Sequence, residues 1–480
     1  MGLIMRRGHS NTLRTGLPGM TRIETDGLGA RELPDVALYG VNTLRGSENS
    51  ALGSLTIGDH PGLVRALAVI KKSAALANRE IGVLEPQLTN AIIAACDELL
   101  AGQHHDQFII DILEGSGGTS INMNANEVIA NRALQILGHT AGDYAILHPN
   151  DHVNHGQSTN DVVPSALKLA VYEAVQPLVV ALTHLADAFA ARAADFGDVL
   201  KIGRTCMQAA QPMTLGQEFG GYASAARRQA GKIAATAEEL LQLPLGGSAI
   251  GTGLGSDPGY SAALYAHLQA ELSLPVRRAD DPFDAMQNSD TFARVSSEIR
   301  IAAETIAKIA HDLILLSSDP QTGLGEIRLP AVQPGSSIMP GKINPVLPMM
   351  MQQIAFALAG NDQTVALASM AGQLEINHFE PAVASRLFES IRLLTRGSQL
   401  FADRCVSGIE ARPERALELL LNSPALATAM VSELGYAKVS ALVKQAEKEG
   451  VTFVSKMVEI GLMDHAQVLD QLKESVKPIS

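Results

Sequence analysis

The sequence lacks tryptophan altogether, and only 4% of its 480 residues are aromatic. Proteins built from packed β-sheets depend on aromatic and β-branched residues to fill the space between the sheets. Here the 46% of residues that are hydrophobic are mainly alanine, leucine, isoleucine, valine and methionine. This composition favours closely packed helices, and a chain of this length can bury a large core.

Cysteine is also scarce, since Cys96, Cys206 and Cys405 are the three thiols and lie far apart along the chain. An odd number of widely spaced cysteines argues against a disulfide framework or a zinc ribbon and fits a reducing compartment. We therefore expect a cytoplasmic protein. Its formal net charge of −13 argues against non-specific binding to nucleic acid, although a local group of donors can still bind an anion.

Long apolar runs are missing too. No stretch of about eighteen uninterrupted apolar residues occurs, so we expect no membrane span. The first twenty residues are basic and contain no apolar segment of the kind that a secretory signal requires. We interpret residues 1–20 as a disordered tail.

Apolar residues spaced three and four apart predict helices over about 62–80, 86–100 and 122–137. From residue 160 the predicted helices become long, at about 161–195, 212–243, 287–318, 345–371 and 381–404. Helices of about thirty residues are typical of a long bundle. We therefore predict an all-α protein in three parts: a mixed N-terminal domain (21–158), a central helical bundle (159–412) and a small C-terminal domain (413–480).

One polar stretch stands out from this aliphatic background. It reads Gly335-Ser336-Ser337-Ile338-Met339-Pro340-Gly341-Lys342-Ile343-Asn344-Pro345. Hydroxyls, an amide, an ammonium group and backbone N–H groups beside glycine are the donors that bind carboxylates. By composition alone the stretch is also compatible with an ordinary connection between two helices.

Three further polar stretches are ambiguous when each is considered alone. The hydroxyls and amides of 115–127 stand at the start of a helix, where they suit either an anion or simple capping by Thr119 or Asn122. Residues 148–161 hold three histidines, which raises the possibility of a metal site, but Pro149 and Gly156 favour a polar loop that caps the next helix. Residues 201–214 suggest a linker between two helices, with Pro212 in the first turn of the second.

Taken together and in this order, the stretches resemble the fumarase/aspartase superfamily over residues 21–475. The 335–345 segment matches every fixed position of the superfamily signature Gly-Ser-Ser-x-Met-Pro-x-Lys-x-Asn-Pro. Three further segments are similar to the aspartase branch: Gly118–Asn124, Gln157–Asp161 and Ala371–Pro381. The resemblance implies a homotetramer of helical bundles that eliminates ammonia from L-aspartate to give fumarate, with each active site shared by three subunits and without a metal or other cofactor.

The resemblance also implies roles for individual residues. Ser336 would be the general base, on a loop that we expect to be mobile between Gly335 and Lys342. Its oxyanion would be stabilised by the flanking N–H groups of Gly335 and Ser337. The carboxylate next to the abstracted proton would be held by Thr119, Ser158, Thr159 and Ser337. The other carboxylate would be held by Thr205, Lys342 and Asn344, and Asn160 with Thr119 would contact the amino group.

One position departs from the pattern, because the superfamily commonly has histidine where this chain has Cys206. In fumarases that histidine helps to activate water, so its absence disfavours a hydratase. A thiol is a weaker hydrogen-bonding group than an imidazole, which leaves room for a different amine. Besides ammonia elimination from L-aspartate, three alternatives stay open: a fumarase, an enzyme that acts on an N-substituted aspartate, and a scaffold that has lost its chemistry.

Overall fold

The computed structural model describes residues 20–423 and 425–476, which are mainly helical. The predicted tail at 1–20 lies outside these residues except for Met20. Within the described ranges there are sixteen α-helices. They are α1 (Val41–Asn49), α2 (Pro61–Glu80), α3 (Pro86–Leu100), α4 (Thr119–Ile136), α5 (Thr159–Asp195), α6 (Leu215–Ala237), α7 (Tyr260–Leu272), α8 (Pro282–Gln287), α9 (Asp290–Leu316), α10 (Val346–Met370), α11 (Glu380–Arg404), α12 (Pro413–Leu421), α13 (Ala425–Leu434), α14 (Tyr436–Glu449), α15 (Phe453–Glu459) and α16 (His465–Ser475).

The strands of the described residues form four sheets of two strands each. Antiparallel pairs join β1 (Thr21–Asp26) with β2 (Gly29–Pro34), β3 (Leu200–Thr205) with β4 (Gln208–Thr214), and β7 (Ile327–Arg328) with β8 (Glu410–Ala411). A parallel pair joins β5 (Gln242–Leu243) with β6 (Arg277–Arg278). These strands are short and most of the described residues are helical, so the all-α prediction is confirmed.

The predicted long helices are confirmed with boundaries shifted by a few residues. Helix α5 begins two residues before its predicted start, and α10 and α11 each begin within one residue of theirs. By length and composition α5 is apolar enough to cross a membrane, but half of its most apolar window is buried inside the protein. A single helix of this kind is weak evidence for a membrane span, because apolar core helices pass the same test.

The prediction for 201–214 was wrong. These residues form the β3–β4 hairpin, and Pro212 pairs with Ile202 inside β4 instead of starting a helix. Helix α6 begins later, at Leu215, because Thr214 and Gln217 form a capping box in which each side chain accepts a hydrogen bond from the other's backbone N–H. Proline is tolerated in β4 since a two-stranded ribbon has free edges that need no donor.

The chain divides into two compact units. The first comprises the described residues up to Val171 together with Leu240–Ser289 and Ala368–Ser385. The second comprises Tyr172–Glu239, Asp290–Leu367 and the described residues from Arg386 onward. The division into three parts at 158/159 and 412/413 stays a prediction.

Each unit has its own apolar core. In the first unit α2 packs against α3 and α7, and α4 packs against α3. In the second unit α6 packs against α9, and four aromatic rings cluster beside them: Phe189, Phe219, Tyr222 and Phe401. Apolar residues of the C-terminal helices, such as Leu420 and Met430, pack against Leu200 and Ile202 of β3, which anchors the base of the hairpin.

Candidate active site

The segment Gly335–Asn344 forms a closed loop that ends just before α10. The Gly335 N–H donates to the carbonyl of Lys342 (2.8 Å), and the Asn344 amide Nδ2 donates to the carbonyl of Gly335 (2.7 Å). A Cβ added at Gly335 would lie 2.6 Å from the Lys342 carbonyl oxygen. Gly335 is therefore required for the loop to close. Ser336 lies at one end of the closed loop and Asn344 at the other.

The hydroxyl oxygen of Ser336 is polarised by two backbone N–H groups of this loop. Its Oγ accepts hydrogen bonds from the backbone N–H groups of Ile338 (3.2 Å) and Met339 (3.1 Å). These donors differ from the expected ones, because the Gly335 N–H is already used to close the loop. Two N–H groups directed at one hydroxyl oxygen stabilise negative charge on that oxygen, which is what a serine base requires.

The other loop residues expected to bind substrate have accessible side chains. Ser337 and Lys342 are exposed, and Asn344 is partly buried by its bond to Gly335. Ile338 is 83% exposed although it is apolar. A loop that presents both donors and apolar side chains to solvent is suited to closing over a ligand.

Thr205 and Cys206 lie at the tip of the β3–β4 hairpin. Thr205 pairs with Gln208, so Cys206 and Met207 form the two-residue turn. Both have positive φ (52° and 62°), the conformation of the turn that suits the twist of a hairpin. The Cys206 side chain is exposed.

A buried charge cluster supports β3 directly below this tip. The Glu326 carboxylate is fully buried and accepts two hydrogen bonds from Arg204 (2.8 and 3.1 Å). It also forms an ion pair with Lys201 (3.1 Å). Lys201 also pairs with Glu218. Paired hydrogen bonds between a guanidinium and a carboxylate set orientation as well as energy. Arg204 precedes Thr205 in sequence, so the cluster holds the strand that carries Thr205.

In the first unit, a glycine-rich loop leads into α4. Gly117 and Gly118 both have positive φ, and the Glu114 carboxylate accepts the N–H groups of Ser116 and Gly118 (both 2.5 Å). The helix begins at Thr119, three residues before the predicted start, after Gly118, which has no side chain to cap it, and Ser116 Oγ accepts the Ser120 N–H (2.8 Å). The Thr119 hydroxyl is exposed at this helix end, where the helix dipole favours an anion.

The three histidines of 148–155 have separate partners. His148 Nδ1 accepts two backbone N–H groups at the start of a π-helical turn (Pro149–Val153), and His152 Nδ1 accepts the His148 N–H. His155 Nε2 contacts Asp257 (3.1 Å). Within the described residues no group of three or more His, Cys, Asp or Glu side chains is arranged to hold a metal.

Residues Ser158–Asn160 begin α5 and are fixed by Asp161. The Asp161 carboxylate accepts the N–H groups of Ser158 (2.9 Å), Gly246 (2.9 Å) and Ser248 (3.0 Å). Burial raises the pKa of Asp161 to about 6, and these N–H groups act in the opposite direction. The Asn160 amide donates to the Ala249 carbonyl (2.8 Å). Together with the two N–H groups that bond to Asp161, this gives three hydrogen bonds between the start of α5 and the 246–249 loop.

The expected site residues fall in both units of the chain. The first unit holds Thr119, Ser158, Thr159 and Asn160. The second holds Thr205, Cys206, Ser336, Ser337, Lys342 and Asn344. Within the first unit, Asn122 of α4 donates to the Thr159 hydroxyl (3.3 Å), so the starts of α4 and α5 are directly connected.

Sequence reasoning missed two charged residues that support these groups. Lys71 is fully buried in α2, and Glu326 is fully buried beside β3. Lys71 could have been noticed, since it lies four residues after Leu67 and three before Ala74, in the apolar face of its helix. Glu326 has no comparable signal, because its partners are more than a hundred positions away.

Comparisons with known proteins agree over nearly the whole chain. Residues 29–360 match the family model described as lyase. Aspartate ammonia-lyase from Helicobacter pylori strain J99 is 43% identical over 457 residues, which cover 95% of this chain and 97% of that protein. The Escherichia coli K12 aspartate ammonia-lyase is 42% identical over 450 residues, covering 94% of each chain.

Solved structures show the same relationship. The fumarate lyase:delta crystallin from Brucella melitensis, bound to cobalt, superposes with a TM-score of 0.93 at 43% identity and covers 95% of this chain and 100% of that one. The class II fumarase from Schistosoma mansoni gives a TM-score of 0.87 at 33% identity, covering 96% and 98%. A match of this extent in both sequence and fold means that the chain belongs to the fumarase/aspartase superfamily of lyases, where it is similar to the aspartate ammonia-lyases.

Proposed function

We propose that this protein is an aspartate ammonia-lyase, which reversibly eliminates ammonia from L-aspartate to give fumarate. The main support for this proposal is the environment of Ser336. Its hydroxyl oxygen accepts hydrogen bonds from two backbone N–H groups at the end of a closed loop. The loop belongs to a chain that is 43% identical to aspartate ammonia-lyases over nearly its full length.

In the proposed mechanism Ser336 acts as an alkoxide and removes a proton from the carbon beside one carboxylate. The electrons of the broken C–H bond move onto that carboxylate and give an aci-carboxylate with an extra negative charge. When these electrons return, the C=C bond forms and the C–N bond breaks, so that the substrate ammonium leaves as ammonia with the C–N electron pair. Ser336 then releases its proton to solvent. The main requirement is a set of fixed donors around the carboxylate that gains charge.

The chain supplies such donors in two groups. Thr119, Ser158, Thr159 and Ser337 would hold the carboxylate that gains charge. Thr205, Lys342 and Asn344 would hold the other carboxylate, and Asn160 with Thr119 would contact the amino group. Hydroxyls, amides and one ammonium group stabilise this charge by hydrogen bonding, so the mechanism that we propose uses no metal or organic cofactor.

Cys206 supports one second candidate, a lyase that acts on an N-substituted aspartate. An exposed thiol at the hairpin tip is smaller than the usual imidazole and is a weaker hydrogen-bond donor. The space and the missing hydrogen bond would both suit a bulkier amine. The same replacement disfavours a fumarase, which needs a group that activates water.

We further propose a homotetramer in which three subunits contribute to each active site. Helix α10 exposes Met349, Phe356 and Leu367, which are 45%, 72% and 52% exposed. Their spacings of seven and eleven residues place them on one face of the helix, over about 27 Å. An exposed apolar stripe of this length favours burial against equivalent helices of other copies. We expect the tetramer to act in the cytoplasm.

The test uses purified protein with L-aspartate, L-malate and an N-substituted aspartate supplied separately, with fumarate followed by its ultraviolet absorbance. Fumarate from L-aspartate alone is the expected result. Ser336→Ala should lower kcat by at least about a thousandfold, because no other group of this loop is placed as a base. The neighbouring Ser337→Ala removes one of several hydroxyls on the carboxylate that gains charge, so it should lower kcat much less than Ser336→Ala does. Fumarate from L-malate alone, or equal activity in Ser336→Ala, would refute the proposal.

A further inference from the structure

A chain of hydrogen bonds in the first unit leads from a buried lysine to one of the expected substrate-binding hydroxyls. Lys71 Nζ donates to Asn154 Oδ1 (2.7 Å), and Asn122 Nδ2 donates to the same oxygen (3.2 Å). Asn122 Nδ2 also donates to Thr159 Oγ1 (3.3 Å). The four residues come from α2, α4, the 154–158 loop and α5, and we call them the Lys71–Thr159 chain.

The chemistry of its members sets the direction of every bond in this chain. A lysine ammonium can only donate, and a backbone carbonyl can only accept. Asn154 therefore turns its Oδ1 toward Lys71 and its Nδ2 toward the Gln157 carbonyl (3.2 Å). The Asn122 atom that faces Asn154 Oδ1 must then be its amide nitrogen. That nitrogen also reaches Thr159, so the Thr159 oxygen accepts.

As a consequence, the hydroxyl hydrogen of Thr159 points away from Asn122 and from the rest of the Lys71–Thr159 chain. No protein acceptor lies within hydrogen-bond distance of this hydroxyl in the part of the chain that the structure describes. Thr159 is partly exposed and is the first residue of α5, where the helix dipole favours an anion. A hydroxyl that is obliged to donate at such a position is suited to a carboxylate oxygen.

Lys71 is a buried cation whose charge is favoured by the nearby buried Asp161 carboxylate. It is fully buried, and its Nζ has one hydrogen-bond partner among the described residues. Burial lowers its pKa to about 7, and the Asp161 carboxylate acts in the opposite direction. A buried ammonium with no carboxylate hydrogen-bonded to it costs stability that a methionine of similar length would not cost.

We propose that Lys71 is a positioning residue for substrate binding. Acting through the two asparagines, it keeps the Thr159 hydroxyl oriented as a donor to a carboxylate of a dicarboxylate. This inference deepens the proposed function and rests on it, because it assumes that Thr159 contacts the substrate.

The experiment measures the affinity of the full-length protein for succinate by titration calorimetry. Succinate has both carboxylates but no leaving group, so turnover does not affect the result. Lys71→Met should weaken succinate binding about tenfold, the usual effect of losing one charge-assisted hydrogen bond. Lys72→Met is the matched control. Lys72 is the next residue of the same helix, pairs with Asp97 and Glu271 instead, and should leave succinate affinity within twofold.

A double-mutant cycle separates positioning from a general loss of structure. In a Thr159→Val background, Lys71→Met should weaken succinate binding by less than twofold, because the hydroxyl on which it acts is gone. An equal factor in both backgrounds, or unchanged affinity in Lys71→Met, would overturn the proposal. If Lys71→Met does not fold, Asn122→Leu replaces it in the same cycle, since it removes the donor to Thr159 and leaves Lys71 in place.

The same samples distinguish this inference from the proposed function. A wild-type protein that binds succinate but forms no fumarate from L-aspartate would refute the proposed function. The succinate affinities would still decide whether Lys71 orients Thr159.

Discussion

Glu326→Gln tests whether the buried charge cluster supports the hairpin that carries Thr205. The substitution keeps the shape of the side chain and one acceptor oxygen but removes the negative charge between Arg204 and Lys201. Lys201 retains its ion pair with Glu218. Arg204 can still donate to the remaining amide oxygen and keeps a long contact to the Ile202 carbonyl (3.4 Å), but its positive charge loses its carboxylate partner.

The expected cost follows from this burial. Breaking a buried ion pair on one side typically costs about 3–5 kcal/mol. Because Lys201 keeps a second carboxylate, we expect about 3 kcal/mol. For cooperative unfolding of a chain of this length, that corresponds to a fall in Tm of about 3 °C.

Glu410→Gln is the matched control. Glu410 pairs with Arg328, only two residues from Glu326, but both partners of that ion pair are 60% exposed. Exposed pairs contribute at most about 1 kcal/mol, so Tm should change by about 1 °C or less. Differential scanning fluorimetry compares the three proteins.

Enzyme kinetics provide the second measurement. Since Arg204 precedes Thr205 in β3, Glu326→Gln should also raise KM for L-aspartate, whereas Glu410→Gln should leave it unchanged. Equal losses of stability in the two variants, or a loss of stability in Glu326→Gln with KM at the wild-type value, would contradict a supporting role of the cluster for Thr205.

Three further predictions concern other parts of the molecule. Burial raises the pKa of Glu380 to about 7 from its ordinary 4.5, so the folded protein binds this proton more tightly and loses stability as the pH rises between these values. Glu380→Gln should therefore raise Tm at pH 8 more than at pH 4.5, and equal shifts would contradict this. Cys206 is exposed at the hairpin tip, and we propose that amine expulsion does not depend on its thiol. Cys206→Ala should then retain activity within a few-fold in the fumarate assay; loss of turnover with an unchanged fold would disprove it. Phe356→Glu should dissociate the proposed tetramer in light scattering, whereas the exposed Lys308→Glu in α9 should not.

Much of the helical architecture could be predicted because it depends on local periodicity. An amphipathic helix needs only neighbours three and four residues apart, so its existence and approximate ends are written in a short window of sequence. This explains why α2, α3, α10 and α11 were located within one residue of their observed starts. The 335–345 loop was found for a similar reason, since its donors are contiguous.

The β3–β4 hairpin was missed because its evidence is not local. Its turn residues, Cys206 and Met207, adopt positive φ without glycine or asparagine, so the usual signal for a two-residue hairpin turn is absent. Pairing across the strands and apolar packing of Leu200 and Ile202 against the C-terminal helices stabilise it instead.

The sequence by itself determined the helical class, the extents of the long helices and the four polar stretches that indicate carboxylate chemistry. Only the tertiary structure decided which groups act on one another. It assigned the Ser336 oxygen to the N–H groups of Ile338 and Met339, and it connected Lys71 to Thr159. The physical reason is range: a helix forms from contacts within one or two turns. The charge and hydrogen-bond direction of a buried group are instead set by partners that the fold brings from distant parts of the chain.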